Sequence, residues 1–192
     1  MALKPAVKMK LSNMKLRVVP ITGEGWCGWA SVAVHYEYDV MKLVADVAAY
    51  YKSHQKSVLA WMNEFVLVPK KKNKANTREI NNRADKLANP KASWPSTVDK
   101  ASGLWLNTSS DLKVIAMMKS RPVHLIQQYN NGKALVTVFT SKCESPPTQQ
   151  YTLGEMQKFK DLGGEDEIII LHNGTPNGQG GVGDHFNAIL PA

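Results

Sequence analysis

Only two cysteines, Cys27 and Cys143, occur in the 192 residues. Neither a disulfide framework nor a four-thiolate zinc site can be built from this chain alone, so a hydrophobic core has to fold it. The composition allows one: 43% of residues are hydrophobic, 21% charged and 8% aromatic, which excludes collagen-like, fibrous and wholly disordered classes. The length suits a single domain over 1–192, with 1–20 as an N-terminal extension and 21–192 as the core. No apolar run approaches a membrane span, and the N-terminus lacks the apolar stretch and cleavage site of a secretory signal. A soluble, cytoplasmic protein is the expectation, and the sequons at Asn107 and Asn173 read as chance matches. The formal charge of +8 is an argument about anionic partners, not about fold or reaction.

Periodicity divides the chain into elements. Val7, Met9 and Leu11 alternate with Lys8 and Lys10, and Met14, Leu16 and Val18 with Lys15 and Arg17. With Ser12-Asn13 between the halves, the period of two predicts a β-hairpin with one basic and one apolar face. After Gly23-Glu24-Gly25, the recurrence of Trp29, Val32, Ala33 and Tyr36 at helical spacing predicts a helix opening at or next to Cys27. Asp39 is placed to cap a second helix carrying the stripe Met41, Val44, Val47, Ala48 and Tyr51, and 58–66 adds a further turn or two. The polar stretch 69–90, with Lys70, Lys71, Lys72 and Lys74, reads as a solvated loop and exposed helix; a nucleic-acid patch is the sharper alternative. Ser109 or Ser110 caps a helix through Lys119, which Pro122 closes. Strands are predicted over 123–127 and 134–140 around Asn130-Asn131-Gly132, then over 167–171 and 185–190, with a short helix over 153–159. The expected class is α+β.

The chemistry concentrates at two places. Cys27 lies where a helix starts, and the positive end of a helix lowers a thiol's pKa and favours the thiolate nucleophile. The glycines at 23, 25 and 28 allow a sharp turn whose N–H groups can face a developing oxyanion; the candidate donors are the backbones of Glu24, Gly25, Trp26 and Cys27. Such a cysteine needs a base. Among the five histidines, His54 and His124 lack a polar companion at a useful spacing, whereas strand alternation puts His185 and Asn187 on one face and Phe186 and Ala188 on the other. A carboxamide there can accept an imidazole N–H and leave the other nitrogen for the thiol, which makes Cys27, His185 and Asn187 a candidate catalytic triad. Gly178, Gly180 and Gly183 match GxGxxG literally, but a strand follows where a dinucleotide site needs a helix. A loop beside the site, with Gly183 and Asp184 touching substrate, is the better reading. Trp26 could wall a narrow channel. His172, Asp184 and His185 match no common zinc spacing, so neither a metal nor a cofactor is expected.

These residues resemble the ovarian tumour (OTU) domain cysteine proteases. Glu24-Gly25-Trp26-Cys27 resembles the family's Asp-Gly-x-Cys motif, and His185-Phe186-Asn187 resembles its closing His-aromatic-Asn/Asp motif. Between them, Trp94, the run Ser110 to Ala116 and the run Arg121 to Ile126 are similar to its Trp-Gly segment, the helix after it and its Arg-Pro-Ile-x-Ile strand. The departures are Glu24 for aspartate and Ala30-Ser31 where an arginine is common. Cys27-Gly28-Trp29 is closer to papain-like proteases of arteriviruses, and the expected hairpin is similar to one in nairovirus OTU proteases. The resemblance implies a papain-like OTU fold, with a small mixed sheet flanked by helices, and a viral or otherwise divergent lineage. It implies a monomeric deubiquitinase acting on ubiquitin or ubiquitin-like modifiers, in the host cytoplasm and against host immunity if viral. A polyprotein-processing protease is the alternative within enzymes, and a basic nucleic-acid module the alternative outside them. No RNA-binding motif accompanies the basic clusters, and no aromatics interleave with them, so nucleic acid is not the expected partner.

Overall fold

The computed structural model describes residues 4–21, 26–65, 72–89, 105–128, 134–142, 149–152, 155, 167–173 and 185–192. Among the described residues, six strands form one sheet: β1 (Leu16–Val19), β2 (Val123–Gln128), β3 (Ala134–Phe139), β4 (Gln149–Thr152), β5 (Ile168–Asn173) and β6 (His185–Pro191). Their order across the sheet is β1-β6-β5-β2-β3-β4. Only β2 and β5 run parallel; the other neighbours are antiparallel. The helices among the described residues are α1 (Pro5–Asn13), α2 (Cys27–Ala33) with a 3-10 turn at Val34–Tyr36, α3 (Val40–Ser53), α4 (Gln55–Phe65), α5 (Lys72–Ala88) and α6 (Asp111–Lys119). The class is the expected α+β.

Two cores lie on opposite faces of the sheet, because central strands covered on both sides are apolar on both. Val123, Leu125, Ile168, Ile170 and Phe186 join Trp29, Leu43, Val47, Trp61 and Leu87 under the large helical layer. Ile126, Val136, Ile169, Leu171 and Ile189 join Val7 and Leu11 under α1. The α3 stripe is buried as its spacing requires, apart from Met41, and Asp39 caps it by accepting from Met41 N at 2.8 Å and Lys42 N at 3.2 Å. Within the polar stretch, α5 buries Ile80, Ala84 and Leu87 along one side. Lys113 is buried too: its Nζ donates to the carbonyls of Thr140 at 2.9 Å and Lys142 at 2.6 Å, tying α6 to the exit of β3.

The N-terminal hairpin is a correction. Residues 5–13 are helical, and only 16–19 form a strand, paired to β6. Pro5 opens the helix, where its missing N–H is no loss. Val7 and Leu11 satisfy both a period of two and the i, i+4 spacing of a helix; Met9 decides between them, because a strand would bury it with the other two and it is 61% exposed. Lys15, at φ 56°, ends the helical turn and redirects the chain into β1. β4, of sequence Gln-Gln-Tyr-Thr, carries no apolar alternation that would announce it. It is an edge strand, and edges need no buried face. The helix expected over 153–159 falls outside the described residues.

Leu11→Ala should lower the unfolding free energy by about 2–5 kcal/mol, whereas Met9→Ala should stay within about 0.5 kcal/mol. Urea titration of the two variants checks this, since a hairpin would make them cost alike.

Candidate active site

Cys27 is the first residue of α2 and a buried thiol, 3% exposed. Trp26 stands at the N-cap without a side-chain capping bond, and its carbonyl accepts the Ala30 N–H at 2.8 Å. The leading N–H groups of a helix have no partner within it, so the positive end of α2 is at the thiol. Gly28 explains why α2 can sit where it does. A Cβ built there would lie 2.7 Å from Leu106 Cβ and 3.3 Å from Phe186 Cδ2, so any side chain would push the helix off its neighbours. The Gly28 carbonyl accepts from Ser31 Oγ at 2.7 Å inside the core.

Phe186 separates His185 from Asn187, so the contact at Gly28 brings the opening of β6 to the first turn of α2. The alternation read from sequence holds, with Phe186 in the core under α2 and Ile189 in the core under α1; His185 and Asn187 share the face of Ile189. Pairing of β1 with β6 stops at Val19 and Ala188, so that strand leaves the β6 edge uncovered over 185–187. There the chain turns from β1 toward α2, and Asn187 Oδ1 accepts the Ile21 N–H at 3.2 Å. His185 is half-buried, and among the described residues no hydrogen bond joins it to Asn187 or to Cys27. Glu24, Gly25, Gly183 and Asp184 lie outside the described residues, whereas Trp26 is half-buried against the helical core.

Several buried or paired residues have partners that the sequence does not announce. His172 faces Phe186 across β5 and β6 and stacks on it with ring centroids 4.4 Å apart. Asp111 is fully buried and accepts from Tyr51 Oη at 2.9 Å, from Asn107 N at 2.7 Å and from both Nε and Nη2 of Arg83. Burial alone would pull the Arg83 guanidinium's pKa down; the charge and hydrogen bonds of Asp111 carry it upward instead. Burial, followed by the Asp111 charge, holds the Tyr51 hydroxyl well above the usual phenol range. The histidines set aside for lack of a polar companion each have one in space. His54 Nδ1 lies 2.8 Å from Ser53 Oγ, and His124 Nε2 lies 3.4 Å from Glu167 Oε2 in the interior, near it but without a hydrogen bond. His35 Nε2 reaches the Ile169 carbonyl at 2.9 Å, and burial holds its pKa below the ordinary value, with the Arg121 charge adding to the lowering against that hydrogen bond.

Two measurements follow from this geometry. Gly28→Ala should cost about 1–3 kcal/mol in denaturant unfolding, because the added methyl meets side chains that are themselves packed. Because the folded state holds the His35 pKa below its ordinary value of about 6.5, the unfolded chain takes up the proton first as pH falls, and stability falls with it. Urea midpoints should drop between about pH 7.5 and about pH 5.5, and less steeply in His35→Gln; equal slopes would clear His35 of the effect.

The sequence matches no family model and no curated protein. Among solved structures, the fold is similar to an OTU deubiquitinase from Wolbachia pipientis wMel, with a TM-score of 0.54 at 13% identity over 92% of this chain and 89% of that one. A structure of an OTU deubiquitinase from the same organism, bound to ubiquitin, aligns with a TM-score of 0.48 at 14% identity over 93% and 97% of the two chains. With its mixed sheet, its buried cysteine at the head of α2 and the His-Phe-Asn strand against that helix, the chain has the OTU fold.

Proposed function

We propose that this protein is a thiol isopeptidase that removes ubiquitin or a ubiquitin-like modifier from conjugates. The observation that carries the reading is the contact of Gly28 with Phe186, which sets the first turn of α2, with its thiol, against the strand that begins with His185. The likeness of the fold to an OTU deubiquitinase supports it. In the reaction, Cys27 Sγ attacks the carbonyl carbon of the modifier's terminal glycine, forming a thioester as the bond to the lysine amine breaks. His185 takes the thiol proton and returns it to the departing lysine amine, and water, activated by the same imidazole, then hydrolyses the thioester. The backbone N–H of Cys27, with those of Glu24, Gly25 and Trp26, would receive the oxyanion.

Asn187 is read as the group that orients His185. A carboxamide oxygen has two lone pairs, and with one on the Ile21 N–H the other can take an imidazole N–H. Catalytic hydrogen bonds are often long or poorly aligned without substrate and tighten when it binds, so their absence between the resting side chains does not argue against the triad. Trp26, Gly183 and Asp184 are assigned to the passage for the modifier's tail.

Ubiquitin carrying a C-terminal electrophile tests the reading. The parent protein should be labelled at Cys27, and Cys27→Ala should not. His185→Ala should slow labelling by about a hundredfold or more, and Asn187→Ala by less. A parent that stays unlabelled by ubiquitin and by its relatives sinks the proposal, as does a Cys27→Ala variant labelled as fast as the parent.

A further inference from the structure

We infer that the Arg83–Asp111 ion pair is a positioning device for the Cys27 site, acting through Leu106. The inference rests on Cys27 as the nucleophile, and Asp111 is a positioning residue, since it touches neither the thiol nor the start of β6 in any described contact. Its logic lies in what the pair grips. Arg83 Nη2 donates to the Trp105 carbonyl at 2.7 Å, and Asp111 Oδ2 accepts the Asn107 N–H at 2.7 Å. The two charged groups thus hold the backbone on either side of Leu106. That residue is buried, and its Cβ is what a side chain at position 28 would strike first. The same guanidinium lies over the Trp29 ring, 5.8 Å from its centroid, two residues beyond the thiol. Wall and helix are therefore referred to one buried charge pair, and Gly28 leaves no slack between them.

Stability is a poor explanation for such a pair. Burying two charges costs about as much as their attraction returns, and apolar replacements are often as stable or more so. What the fork provides is direction: a planar guanidinium on two carboxylate oxygens fixes angles as well as distance. Displacement of a reacting group by about 1 Å can cost about a hundredfold in rate, so a fixed wall one residue from the nucleophile matters to the chemistry.

The test follows alkylation of Cys27 in the full chain from about pH 5 to about pH 9, read by peptide mass spectrometry with Cys143 as internal reference. It compares the parent with Asp111→Asn, which keeps the shape and loses the charge, and with Leu106→Ala, which keeps the pair and loses the wedge. Both variants should shift the Cys27 pH midpoint relative to the parent. Both should also lower kcat on a ubiquitin conjugate by about tenfold or more, with KM within about twofold. A folded Asp111→Asn protein with the parent's Cys27 midpoint and kcat overturns the inference. If Asp111→Asn does not fold, Leu106→Ala decides alone: a shifted midpoint supports positioning, and an unchanged one overturns it. Because alkylation needs no ubiquitin, a shifted midpoint in a chain that ignores the ubiquitin probe removes the deubiquitinase reading and keeps this one. Equal probe labelling of parent and Asp111→Asn does the reverse.

Discussion

The absence of a side chain at Gly28 is the constraint on which the arrangement depends. Three elements meet at that point: the first turn of α2, the segment at Leu106 that leads to α6, and Phe186 at the opening of β6. Their separation is set by van der Waals contact, and contact of this kind is stiff, because interiors are packed near crystal density. A helix that could not approach so closely would leave Cys27 away from the strand that carries the histidine. Glycine is weak in a helix interior, where it costs about 1 kcal/mol relative to alanine, so its presence one residue inside α2 marks a place where approach outweighs propensity.

Around this contact the interior is more polar than its burial would suggest. Asp111, Lys113, His124 and His172 are all buried: Asp111 and Lys113 are hydrogen-bonded, His172 stacks on Phe186, and His124 lies 3.4 Å from Glu167 without a hydrogen bond. The pattern is uneven in a useful way. Lys113 and Asp111 sit on α6 and bind backbone on either side of it, so that helix is a hub through which the β3 exit and the Leu106 segment are both held. The basic surface that dominates the net charge plays no part in that hub: Lys8 and Lys10 lie on α1, on the far side of the sheet from α2.

How much was legible follows from how local each signal is. The start of α2 at Cys27, the Asp39 cap, the stripe on α3 and the alternation that pairs His185 with Asn187 all depend on contacts within a few residues of chain, and all were readable. The first segment misled because Val7 and Leu11 fit two periods at once, and only the exposure of Met9, a property of the folded molecule, separates them. β4 was missed because an edge strand need not be apolar. Arg83 and Asp111 were silent because each looks like an ordinary surface residue of a helix; nothing within either neighbourhood announces a partner 28 residues away.

By itself, the sequence determined the chemistry on offer: one thiol at a helix start, one histidine followed two residues later by a carboxamide, and enough apolar residues to build a core. These are consequences of residue type and short-range backbone geometry. Only the tertiary structure decided which of them meet. The bond between Ile21 and Asn187 spans 166 residues, and no periodicity encodes it; it exists because β1 and β6 pair at the sheet edge and bring the chain past the strand on its way to α2. The helical form of residues 5–13 and the grip of Arg83 and Asp111 on Leu106 were decided in the same way, by burial against distant parts of the chain, whose energy outweighs local preference.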